Sequence, residues 1–360
     1  MIVTSHAQEE EDGYAFEKQT WAIKHPNPTS MKAILFDRPG PPEVLRYTDT
    51  PKPVPGPGQV LVRAHSIGVS MPEILVRRGE YVWMPPLPAI PGIEMSGVVE
   101  ALGEGVTSLR VGQPVFVSAR ELPVRGGCYA EYLAANADAL YLLPQGTDLE
   151  AAASLSNYQV AWHLLHSAPY GMRYQSVLAT GAAGGIGSAI VQLGKVDGKR
   201  MIGLVDSDEK AAFVRSLGAD AAINSRGENV SERLRELTGG AGVDLILDSI
   251  GGAGFTAHFE RLAPFGLVVS YGQLDGHPTG DVLGAMRRRM GDSLGLRMFS
   301  MHVFDQDRRR RREATEELLR LLAAGKIKPP ISVRLPLAEA ARAHALIESG
   351  KVLGKLILKP

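Results

Sequence analysis

From residue 31 to about residue 150, apolar positions come in short alternating runs closed by glycine or proline. QVLVRAHSIGV (59–69), SGVVEALG (96–103) and QPVFVSA (113–119) are three of them. Alternation with period two predicts strands with one face buried. Met31 opens another such run, MKAILF. The proline-rich stretches Pro51 to Pro57 and Pro85 to Pro91 cannot be helix interiors, because proline lacks the N–H and clashes with the preceding turn. Many short strands separated by turn residues predict a compact, barrel-like β domain.

Near residue 150 the rhythm changes. LEAAASLSNYQVAWHLLH (149–166) carries apolar residues at helical spacing, and strands then alternate with helices. SVLATG (176–181), MIGLVD (201–206), AAIN (221–224), VDLILDSIG (243–251) and GLVVSYG (266–272) read as strands. Between them, IGSAIVQLGKV (186–196), EKAAFVRSLG (209–218) and VSERLRELTG (230–239) read as helices, the second stopped by Gly218. That alternation predicts an α/β unit with a doubly wound parallel sheet and helices on both faces. A helix over 312–327 and a strand over 355–360 follow, and there is no internal repeat.

Residues 1–30 are polar and acidic, with Glu9 to Asp12, Pro26 and Pro28 and no periodicity. They are expected to form an extension that is mobile or draped on the surface, and Met31 could serve as an alternative start. The 360 residues suggest two domains. Lys and Arg number 39 against 39 Asp and Glu, which argues against wholesale electrostatic binding of nucleic acid or membrane. One cysteine, Cys128, excludes an internal disulfide and any multi-cysteine zinc site. With no spanning apolar stretch and no signal-peptide pattern, the expected address is the cytoplasm.

The motif that carries chemistry follows the strand SVLATG. Ala182, Ala183, Gly184, Gly185, Ile186 and Gly187 form a dinucleotide fingerprint with alanine in its first position, and a helix begins at once. Glycine at 184 lets backbone approach a pyrophosphate, Gly187 lets helix and strand pack closely, and the helix N-terminus offers free N–H groups. Asp206 ends the next strand, 19 residues past Gly187, at the spacing of the acid that holds an adenosine ribose diol. A carboxylate there favours NAD(H) over NADP(H), whereas Lys210 and Arg226 could reach a 2′-phosphate. The plainer alternative makes Asp206 a cap for the helix beginning near Ser207. Ser225, Ser249 and Gly272 follow the carboxyl ends of further strands, where an open sheet binds its ligand.

Taken in order, GPPEVLRY (40–47), GVSMPEILVRRGEY (68–81), PGIEMSGVVEALGEGV (91–106), AAGGIG (182–187), LGADAAIN (217–224), DLILDSIGG (244–252) and GKLIL (354–358) resemble the medium-chain dehydrogenase/reductase superfamily. The likeness is to its zinc-free quinone oxidoreductase branch, which includes the ζ-crystallins, and runs from about Met31 to Pro360. It implies a GroES-like β-rich domain of residues 31–152 and 300–360, a Rossmann domain of 153–299, an active cleft between them, and a homodimer through the strands near 294–304. Zinc-dependent members carry Gly-His-Glu where this chain has Gly92, Ile93 and Glu94, and a cysteine ligand near Ser70. Isoleucine and serine there imply no metal. Relatives usually carry Asn at the position of Ser70. Enoyl reductases place a Tyr at the position of Met71.

The implied chemistry is hydride transfer from NAD(H) or NADP(H) to a small-molecule acceptor, either a quinone or an activated alkene such as an enone or enal. An enoyl thioester is the alternative acceptor. A quinone needs proximity and an apolar slot, whereas an alkene also needs a proton donor. Tyr81, Asn157 and Tyr158 are the candidates for the substrate cleft, and Gln159 joins the candidate cofactor contacts. Glu94 is read as a buried partner of a nearby donor, and Cys128 as a small buried residue. A different class, a dinucleotide-binding protein that interacts with RNA or protein and turns over little, follows from Ser70 and Met71 in place of the usual polar pair, and the run Arg308 to Arg312 is the candidate for RNA. A solvated helix start, balanced by Glu313, Glu316 and Glu317, accounts for that run more simply.

Overall fold

Three sheets organise the chain in the computed structural model, which describes residues 29–360. The extension expected over 1–30 lies outside the described residues, apart from Thr29 and Ser30. Of the sheets, one has six strands, all parallel, in the order Ala221–Asn224, Arg200–Val205, Ser176–Thr180, Val243–Asp248, Leu262–Ser270 and Gly295–Met298. Ser176–Thr180 is the strand from which the chain first builds one way and then the other. In such a sheet the crevice at that reversal is the ligand site.

Alternation along these strands is real but serves two cores rather than a core and solvent. Val177, Ala179, Leu245 and Leu247 face one cluster, with Val191 and Leu193 of the helix Gly185–Val196. Leu178, Ile202, Ile223 and Ile246 face the other, with Phe255 and Phe259. The residues that face the two clusters are apolar because helices cover both faces.

The β-rich sheet runs Ile331–Pro336, Lys355–Lys359, Gln59–Val69, Glu94–Leu102, Pro114–Ser118 and Leu140–Leu142, with Tyr132–Asn136 also paired to Gln59–Val69. A separate antiparallel pair joins Ser30–Leu35 to Arg46–Pro51. The core of this half gathers Val60, Val62, Met95, Val115, Val117 and Leu356.

Two connections bring the halves together. The run 149–166 is not one helix but two, Leu149–Ala152 and Leu155–His166. The second begins where Glu94 Oε2, from the β-rich sheet, accepts the Ser156 N–H at 2.8 Å. A carboxylate at a helix N-terminus satisfies a donor that has no partner within the helix. The other connection is the helix Arg308–Ala323, whose Leu318 and Leu319 enter the core shared with Val177.

The arginine run at the start of that helix is a clamp. Arg311, 7% exposed, pairs with Glu121 at 2.9 Å and also donates to the carbonyls of Phe304 and Asp305. Arg308 reaches Asp138 at 2.9 Å, while Arg312 lies over the Tyr141 ring and donates to the Asp138 and Leu140 carbonyls. Arg309 pairs with Glu313 and Arg310 with Asp307. The helix start is thus less solvated than expected, since its partners come mainly from the β-rich half.

Candidate active site at the seam of the two sheets

At the carboxyl end of Ser176–Thr180 the chain turns through Gly181 into the fingerprint. Gly184 stands just before the helix Gly185–Val196, so the first helical N–H groups face the crevice. Gly187 has no room for a side chain: a methyl group there would sit 2.3 Å from the Gly181 carbonyl oxygen and 2.6 Å from Ala182 Cα. Ala183 is buried, and its carbonyl accepts the Gly354 N–H at 2.7 Å. Ile186 packs on the core of the parallel sheet.

Flanking strand ends bring the other expected cofactor residues to the same edge. Asn224 pairs with Val205, so Ser225 comes beside Asp206, and the Ser225 hydroxyl donates to the Val205 carbonyl at 3.0 Å. Asp206 does not cap the next helix, because Ser207 Oγ accepts the Lys210 N–H there. Its carboxylate instead takes Lys210 Nζ at 2.6 Å and Arg226 at 3.5 Å. The hydrogen bond from Lys210 holds its pKa below the usual aspartate value.

On the other side of the fingerprint, Asp248 accepts from Thr180, Gly251, Ile250 and His258. Burial pushes that carboxyl up, but His258 and the two N–H groups outweigh it and hold the pKa low. Ser249 is tied to Thr180 through its N–H at 2.9 Å. Gly272 is tight for a reason other than a ligand: a methyl group there would lie 2.7 Å from the Ser249 carbonyl oxygen.

Facing the fingerprint, the β-rich half contributes a buried polar cluster. Lys355 Nζ lies 2.5 Å from Glu94 Oε1 and 2.6 Å from Ser70 Oγ, and Lys355 is 2% exposed. Ser70 Oγ is 3.2 Å from Asn157 Oδ1, while the amide nitrogen of Asn157 lies against Gly185. Glu73 accepts the N–H groups of Ser70 and Ile93 at 3.1 Å each. Burial pushes its pKa up to about 7 against the pull of Lys355. Glu94 has the buried donor expected of it, and that donor is Lys355.

Two of the expected residues do not reach the fingerprint. Tyr158 is 1% exposed within the core, and its hydroxyl has no partner among the described residues. Gln159 donates to Thr315 Oγ1 at 2.8 Å, away from the fingerprint. Asn157 is the one residue of that trio that faces Gly185. Tyr81 lies at a second cluster, where its hydroxyl is 3.1 Å from His302 Nε2 and Trp83 stacks on the His302 ring. Arg125 and Asp305 both contact His302 Nδ1.

Known proteins fit this arrangement. The alcohol dehydrogenase GroES-like domain matches residues 56–145, and a family described as zinc-binding dehydrogenase matches 217–358. A quinone oxidoreductase of Pseudomonas aeruginosa is 34% identical over 330 residues, covering 91% of this chain and 99% of that protein. This chain belongs to the quinone oxidoreductase branch of the medium-chain dehydrogenase/reductases. Among solved members of the superfamily, the Escherichia coli quinone oxidoreductase complexed with NADPH has a TM-score of 0.81 at 31% identity, over 91% of this chain and all of that one. An NAD-dependent alcohol dehydrogenase also reaches 0.81, at 28% identity, over 92% of this chain and all of that one.

The description zinc-binding raises a metal, and the residues present do not fit one. Ser70 and Ile93 stand where a cysteine and a histidine would be needed, and the space between Ser70 and Glu94 takes a lysine ammonium. Among the described residues, no group of three His, Cys, Asp or Glu side chains could hold an ion. A dinucleotide does fit. The fingerprint N–H groups face the reversal of the sheet, and the Asn157 amide N–H groups beside them have no acceptor among the described residues. No helix of the described residues is long and apolar enough to cross a membrane.

Proposed function

We propose that this chain reduces quinones with a nicotinamide dinucleotide as hydride donor and without a metal. The observation that carries the reading is the placement of Lys355 between Ser70 and Glu94, directly across from the fingerprint loop. The quinone is suggested by the relatives' activity.

Residues 182–187 would hold the pyrophosphate, with Asp206, Lys210, Arg226 and Ser225 around the adenosine ribose and Ser249 and Gly272 along the nicotinamide half. A bound dinucleotide supplies the hydride. The protein supplies a crevice between two cores that excludes water and fixes the acceptor at short range. Reduction of a quinone leaves an oxyanion that solvent can protonate; for an acceptor that needs a donor, Tyr81 of the second cluster, its proton retained because burial raises the phenol pKa, is the proposed source. That same pair of Tyr81 and His302 supports an activated alkene as a second acceptor class.

NADPH is proposed beside NADH, although Asp206 alone favours NAD(H). Two cations face that single carboxylate, so a 2′-phosphate could displace it and take both. The reading as an RNA-binding protein is disfavoured because Arg308 to Arg312 are engaged with Asp, Glu, carbonyl and aromatic partners of this chain. A homodimer is proposed through the edge strand Gly295–Met298, where Met298 is 70% exposed, and light scattering would test it.

The direct test is steady-state oxidation of NADPH and NADH by a simple 1,4-quinone, with and without a strong zinc chelator. Turnover that the chelator leaves unchanged is expected. No turnover with either dinucleotide refutes the enzymatic reading, and loss of turnover on chelation refutes the metal-free one.

A further inference from the structure

We propose that Lys355 and Ser70 are positioning residues that turn the Asn157 carboxamide toward the dinucleotide, and that Asn157 donates a hydrogen bond to one of its oxygens. This rests on reading residues 182–187 as a dinucleotide site.

The direction of each bond follows from chemistry. A lysine ammonium only donates, so Ser70 Oγ accepts from Lys355 Nζ at 2.6 Å. The single Ser70 proton is then available to Asn157 Oδ1, 3.2 Å away. An amide whose oxygen accepts there turns its NH₂ the other way, and Asn157 Nδ2 meets Gly185, the first residue of the fingerprint helix. A methyl group on Gly185 would sit 2.2 Å from that nitrogen. Asn157 is 8% exposed, yet its amide protons have no acceptor among the described residues. The nitrogen itself is not fully buried, so an oxygen of a ligand can reach it. At a helix N-terminus built for phosphate, the group that satisfies it is an oxygen of the pyrophosphate or the adjoining ribose.

The anchor of this relay is rigid. Glu94 holds Lys355 with one carboxylate oxygen and the start of the helix Leu155–His166 with the other. Gly354, the residue before Lys355, ties the same segment to Ala183 in the fingerprint loop. One stretch of backbone therefore fixes both the donor and the loop it serves. Where a metal-dependent relative would keep a metal ion, this chain keeps an ammonium whose hydrogen-bond direction runs outward to the cofactor.

The test is titration of NADPH and NADH, by calorimetry, into wild type, Asn157→Ala, Ser70→Ala and Ser70→Thr, with KM measured for dinucleotide and quinone. Ser70→Ala leaves the Lys355–Glu94 pair intact, and melting temperatures establish that each variant is folded. Asn157→Ala should weaken the dinucleotide about tenfold while leaving the quinone KM in place. Ser70→Ala should weaken it about threefold, because the amide is freed to turn over, and Ser70→Thr should restore it. Equal affinity in wild type, Asn157→Ala and Ser70→Ala overturns the proposal and leaves the dinucleotide site standing. An equal loss in Ser70→Thr and Ser70→Ala overturns the role of the hydroxyl. A wild type that binds neither dinucleotide removes the site and the proposal with it.

Discussion

The Asp206 carboxylate and the Lys210 ammonium, 2.6 Å apart across one helical turn, form an ion pair at the strand end where the adenosine ribose is proposed to lie. Arg226 is the third member, at 3.5 Å. Asp206→Ala should free both cations, raising NADPH affinity several-fold and lowering NADH affinity. Lys210→Ala should do the reverse for NADPH by about tenfold. Titrations at two salt concentrations check this, because an interaction this exposed weakens as salt rises. An unchanged preference in both variants would show that the pair does not touch the ribose.

Gly187→Ala is expected to destabilise the protein by about 1–3 kcal/mol, the range for forcing a methyl group into packed surroundings. The atoms it would meet are backbone, at Gly181 and Ala182, and cannot swing away. Urea denaturation measures the loss. Dinucleotide binding should fall with it, because the helix N-terminus must move off the strand.

Arg311→Ala should cost about 3–5 kcal/mol, since it leaves Glu121, with 2% of its side chain exposed, charged and without its closest cation. Arg309→Ala should change stability by less than about 0.5 kcal/mol, because its pair with Glu313, one turn along the same helix, is largely exposed. Comparing the two by denaturation separates a clamp from a solvated charge run.

Much of this architecture was readable locally, and the exceptions share one cause. The strands Gln59–Val69 and Ala221–Asn224 coincide with their apolar runs because turn residues bound them in sequence. The break between Leu149–Ala152 and Leu155–His166 did not show, because the carboxylate that makes it belongs to Glu94, 62 residues before Ser156. Tyr158 and Gln159 lie on a helix buried nearly all round, where periodicity does not tell a cleft-facing side chain from a core one. Lys355 was missed as a site residue. The available signal was a lysine opening an apolar strand in a chain whose Glu94 already needed a donor.

Acid should destabilise this protein earlier than its carboxylates alone would. Burial lowers the pKa of His163 and His302 to about 4 and of His344 to about 3, from near 6.5 in the unfolded chain. A depressed histidine contributes full stability above pH 6.5 and loses it as pH falls toward the folded value, at about 1.4 kcal/mol per unit. Glu73 works the other way: raised to about 7, it loses its contribution as pH climbs from about 4.5 to 7. Three histidines outweigh one glutamate, so the melting temperature should drop between pH 7 and pH 5. His344→Gln should shrink that drop, and an unchanged drop would count against the assignment.

Tyr81→Phe should separate the two acceptor classes. On the proposed reading its hydroxyl, 3.1 Å from His302 Nε2, is dispensable for a quinone and needed for an alkene. Quinone turnover within about threefold of wild type is expected, against a loss of about a hundredfold with an enone. Equal losses with both would assign Tyr81 to packing.

Gly354 and Lys355 lie late in the chain, and the strand they open is inserted between Ile331–Pro336 and Gln59–Val69. During synthesis the parallel sheet and its fingerprint emerge first, with Glu94 and Ser70 already made but lacking their cation. A chain cut short before Gly354 would therefore lose a sheet strand and leave a carboxylate stranded in the protein interior. Such fragments should be recognisably unstable and readily degraded, because the seam between the two halves closes only once the strand Lys355–Lys359 has been made.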